Sequence, residues 1–139
     1  MNKEKFLRNI QSYQGISSIL KTCSYQEIAA QVAEFFSIEI SKLEDFPMGG
    51  YSRGRTSGAY RFVLQDLLKN IEHFDWLFSR LQDEESKRVF THLMQFRMIP
   101  DHFFIEQAYD GKNSQYFDPE IIFCDSEEVF VDCGGFTGD

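Results

Sequence analysis

Cysteine is scarce in this sequence of 139 residues, and its three cysteines, Cys23, Cys124 and Cys133, form no CxxC pair. An odd, scattered set argues against both a disulfide framework and a zinc site, and it fits a reducing, cytoplasmic setting. No stretch approaches the ~18 uncharged apolar residues of a membrane span. The opening residues, MNKEKF, lack the apolar core of a signal peptide. Repeats and low-complexity segments are absent. Basic residues are outnumbered, 14 Lys and Arg against 22 Asp and Glu, for a net charge of −8. That balance disfavours a nucleic-acid duplex or an anionic membrane as partner. His73, His92 and His102 share no metal-ligand spacing with one another or with a cysteine, so they read as surface or satisfied helix residues.

Apolar side chains are plentiful. The chain is 42% hydrophobic and 16% aromatic, with fifteen Phe. That is too apolar for a disordered chain and enough for a core of ordinary size. Roughly the first 110 residues read as mainly helical. Ser24 and Glu27 have capping-box spacing ahead of an apolar stripe at Ile28, Val32, Phe35 and Phe36, which predicts a helix ending near Ser37. A shorter helix is expected over residues 3–20, interrupted at Gly15. From Tyr60 to Leu81 one face stays apolar for about six turns, with a break expected near residues 73–75. Trp76 and the many Phe follow helical spacing and read as core. Asp83 is placed to cap the next helix, whose expected apolar face is Val89, Phe90, Leu93, Met94 and Phe96. Asp83 with Lys87 and Glu84 with Arg88 have i,i+4 spacing. Pro100 should end that helix, and residues 101–109 should form one more.

Two segments are glycine-rich. Residues 47–58 (PMGGYSRGRTSG) read as a loop in which Arg53 and Arg55 sit among hydroxyls, a set able to hold a phosphate or carboxylate, although a connection with solvated charges is the simpler reading. Residues 128–139 (EVFVDCGGFTGD) read as a short buried strand that ends in an acid and runs into a glycine loop. Such a loop lets backbone approach a ligand closely and directs free N–H groups at it. A phosphate-binding P-loop would need Gly-Lys-Ser/Thr, but Asp139 follows Gly138. The dinucleotide fingerprint would need glycine where Cys133 stands. Cys133 itself reads as a small packing residue. What remains is Asp132, Gly134, Gly138 and Asp139. One strand cannot form a sheet, so this reading expects further strands beyond residue 139, in a chain cut off there.

Residues 128–139 resemble the first S-adenosylmethionine-binding motif of FkbM-type methyltransferases. The likeness extends upstream through Gln115, Tyr116, Phe117 and Asp118, then Ile121 and Ile122, and through residues 81–87 (LQDEESK) with the apolar helix behind them. It covers roughly residues 76–139. The resemblance implies a mainly α chain: a helical segment, residues 1–112, leads into the first strand of a Rossmann-like class I methyltransferase fold at residues 113–139. It implies that Asp132, Gly134 and Gly138 line the pocket for the methionine part of S-adenosylmethionine, with Tyr116 a flanking contact that fits core packing as well. It further implies methyl transfer to a small-molecule or saccharide hydroxyl. The catalytic base is unassigned. A non-catalytic helical module for docking a partner or substrate is the alternative, and an unpaired strand edge offers a route to a homo-oligomer.

Overall fold

A computed structural model describes residues 2–43 and 59–109, and these are mainly helical, with no strand among them. Among the described residues eight helices follow one another: α1 (Lys3–Asn9), α2 (Tyr13–Thr22), α3 (Tyr25–Phe36), α4 (Ile40–Leu43), α5 (Ala59–Lys69), α6 (Ile71–Arg80), α7 (Glu84–Met98) and α8 (His102–Ala108). The strand and glycine loop expected over 128–139 and the loop at 47–58 lie outside the described residues.

Local chemistry sets most of the helix starts. At α3 the capping box forms: the Ser24 amide donates to Glu27 Oε2 at 2.7 Å, and the Glu27 amide donates to Ser24 Oγ at 3.3 Å. The hydrogen bonds from Ser24 hold the Glu27 carboxyl below its ordinary range. The helix ends at Ser37, which adopts the left-handed conformation (φ 55°). Asn2, Ser12, Asp83 and Asp101 cap α1, α2, α7 and α8 with their side chains.

Two breaks differ from the sequence expectation. The first falls at Ile10–Ser12, where Ser12 caps α2 by accepting from the Gly15 amide at 3.2 Å. Gly15 lies inside α2, as the residue that lets the Asn9 carbonyl come close. The second falls at Asn70, not at 73–75. Asn70 leaves helical geometry (φ −110°, ψ 16°) and its amide side chain donates to Asp66 Oδ1 at 2.8 Å. Asn competes with the helix ladder through such local bonds.

The core gathers one face of each long helix. Phe6, Ile10, Ile16, Ile28, Val32, Tyr60, Leu64, Leu67, Met94, Met98 and Ile99 are essentially inaccessible. Helix α2 touches α1, α5, α6 and α7, while α7 also packs on α5 and α8. Tyr60 enters this core with its polar end satisfied, donating to the Met98 carbonyl at 3.0 Å.

Two expectations about the core are corrected. Trp76 is 60% exposed and Phe62 is 72% exposed. Each lies two residues from inward-facing neighbours (Phe74 and Phe78, Tyr60 and Leu64), which turns it about 200° around the helix to the outer side. The Arg80 guanidinium covers the Trp76 ring at 5.2 Å. In α7 the deepest residues are Met94, Gln95 and Met98, while Leu93 is 40% exposed. The inner face is rotated from the expected one and carries a glutamine.

Candidate functional site

Tyr116, Asp132, Gly134 and Gly138 all lie outside the described residues, as do Cys133, Arg53 and Arg55. The structure does describe the helical lead-in. Asp83 Oδ1 accepts from the Ser86 amide at 2.6 Å and opens α7. The charged pairs there form at i,i+3 instead of i,i+4: Lys87 with Glu84 at 2.8 Å and Arg88 with Glu85 at 2.5 Å. Arg88 also donates to the Gln107 carbonyl, tying α7 to the end of α8. An apolar groove of about 430 Å³ lies between these ends, lined by Leu81, Val89, Phe90, Leu93, Ala108 and Tyr109 among others. Phe103, Ile105 and Tyr109 beside it are exposed.

Two polar constellations were not foreseen from the sequence. In the first, Asp75 of α6 receives the Tyr13 hydroxyl at 2.9 Å, the Lys21 ammonium and a hydrogen bond from Ser17. Tyr13, Ser17 and Lys21 recur every four residues and so share one face of α2. That spacing was visible in the chain; the acceptor on a distant helix was not. Burial pulls the Asp75 carboxyl upward, but the bonds from Lys21, Ser17 and Tyr13 outweigh it and hold the group below the usual carboxylate range. The Tyr13 hydroxyl is pushed well above its ordinary value, first by burial and then by Asp75, so it stays a donor.

A carboxyl that titrates lower folded than unfolded adds stability above its unfolded pKa, and this is lost as pH falls through the folded value. We therefore expect Asp75→Asn to lower stability at neutral pH by about 1 kcal/mol, allowing for its partial exposure. The loss should begin to shrink below about pH 4, where the unfolded carboxyl takes up its proton, and disappear once the pH has fallen through the lower folded value. Urea denaturation across that range measures it, and a loss independent of pH would contradict this role.

The second constellation centres on Gln95, a buried polar residue at 2% exposure. Its side chain joins the Ile10 carbonyl (2.7 Å) to His92 Nδ1 (2.6 Å). His92 lines a cleft of about 440 Å³ between the start of α2 and α7. Among the described residues no three His, Cys, Asp or Glu side chains gather to hold a metal ion, and no helix is long and apolar enough to cross a membrane.

No protein-family model, curated protein or solved structure matches the chain.

Proposed function

We propose that the chain carries the helical lead-in and first cofactor motif of an S-adenosylmethionine-dependent methyltransferase of the FkbM type, acting on a small-molecule or saccharide hydroxyl. The observation that carries this reading is the sequence pattern of residues 128–139 (EVFVDCGGFTGD), an apolar run followed by an acid and glycines, with its lead-in at Gln115–Asp118. The helical run through α8 is the kind of segment that this resemblance places ahead of the motif.

S-adenosylmethionine supplies a methyl group already activated on sulfonium. In this reading the backbone at Gly134 and Gly138 approaches the methionine portion, and Asp132 favours its ammonium. The protein then orients an acceptor oxygen in line with the methyl group and removes its proton. Calorimetry of the natural gene product with S-adenosylmethionine tests this. We expect saturable binding that Asp132→Ala weakens about tenfold, the loss of one charge-assisted contact. Equal binding by wild type and variant would sink the assignment.

A second reading, a helical docking module, draws on the apolar surface at Phe62, Trp76, Phe103 and Tyr109. It takes over if S-adenosylmethionine gives no heat at all.

A further inference from the structure

We propose that the cleft between the start of α2 and α7 binds a neutral, hydroxyl-rich small molecule through His92. The cleft has the volume of a small-ligand site, about 440 Å³. The inference stands independently of the methyl-transfer reading.

Gln95 determines what His92 can do. Its Nε2 donates to the Ile10 carbonyl at 2.7 Å, so its Oε1 faces His92, and an amide oxygen can only accept. His92 Nδ1 therefore carries the hydrogen. In the neutral ring this leaves Nε2 as an acceptor, and it has no hydrogen-bond partner among the described residues. The bond to the buried Gln95 amide orients the ring. A ring-nitrogen acceptor at Nε2 suits a hydroxyl donor.

The rest of the lining argues for a neutral ligand. Lys87 and Arg88 are answered by Glu84 and Glu85, at 2.8 and 2.5 Å. An anion site would present its cations to the ligand instead of to neighbouring carboxylates. Gln11 and Gln14 add amides that both donate and accept, as a polyol requires. Phe78, stacked on Tyr13 at 4.1 Å, adds apolar surface for the ligand's C–H groups.

The test is an NMR titration of the full chain, isotopically labelled, with glucose, galactose, maltose and myo-inositol, and with inorganic phosphate in parallel. We expect saturable shifts of the His92 ring and the Gln11 and Gln14 side-chain amides with at least one of the four polyols and none with phosphate. His92→Phe keeps a planar ring without the acceptor and should weaken binding about tenfold, one lost hydrogen bond. Gln14→Ala, at an exposed rim position, should weaken it about threefold, and it keeps the test decisive if the His92 variant fails to fold. The proposal is overturned if no polyol gives a saturable shift, if phosphate alone does, or if folded variants bind as tightly as wild type.

Discussion

Gly15→Ala should destabilise the protein by more than about 3 kcal/mol, although alanine is the better helix former by about 1 kcal/mol. A methyl group at Gly15 would sit 1.9 Å from the Asn9 carbonyl oxygen and 2.7 Å from its carbon. Those are backbone atoms, so no side-chain rotation relieves the overlap. Relief requires moving the α1–α2 turn, and that turn is fixed at several points. Ile10 is buried in the core, its carbonyl accepts from Gln95, and Ser12 caps α2 through the Gly15 amide. Overpacking against a constrained backbone falls at the high end of single-substitution effects. Chemical denaturation measures the loss, with Ser18→Ala on the exposed side of α2 as the control, expected within about 0.5 kcal/mol of wild type. A Gly15→Ala protein as stable as wild type would show that the turn is free to shift.

Gln95→Leu should cost about 2–4 kcal/mol despite adding an apolar residue to an apolar surrounding. The substitution leaves the Ile10 carbonyl without its 2.7 Å donor and removes the acceptor of His92 Nδ1–H. A carbonyl left unsatisfied in the core loses its hydrogen bond and regains none from water. Thermal unfolding of Gln95→Leu, alone and combined with His92→Phe, tests the coupling. Because the two residues share one hydrogen bond, the double variant should lose less than the sum of the single losses. Strict additivity would argue that His92 and Gln95 do not act together.

Helix boundaries governed by local chemistry were legible in the sequence. Ser24 with Glu27, Asp83 at the start of α7 and the end at Ser37 depend on residues within a few positions of one another, and all three stand as read. The ending of α7 just before Pro100 follows equally from the missing amide of proline.

Features that depend on distant partners were not legible. Nothing near Gly15 reveals that Asn9 must approach it, because the approach is set by packing of Ile10 into a core that includes Met94 and Met98. Gln95 lies between Met94 and Phe96, and sequence periodicity alone gives a polar residue there no reason to face inward. Trp76 reads as core from its helical spacing, but its angular position on α6, two residues from Phe74 and Phe78, sets it outside. Of the candidate cofactor residues, Asp132, Gly134, Gly138 and Tyr116 rest on the sequence resemblance, since they lie beyond the described helices. The His92 cleft lay hidden for the opposite reason: its parts are Gln11, Gln14, Phe78 and His92, which no short motif contains.

The hydrogen bond from Gln95 to Ile10 spans 85 positions along the chain, and the bond from Tyr13 to Asp75 spans 62. A ribosome delivers the N-terminal end first, at about 5–20 residues per second. The α1–α2 hairpin therefore emerges with its turn carbonyl and its tyrosine hydroxyl still turned to water. Both must wait several seconds for donors and acceptors not yet synthesised. Until α7 arrives, Ile10 and Ile16 lack much of the surface that will cover them, and this newborn half of the protein is the stretch with most to gain from a chaperone.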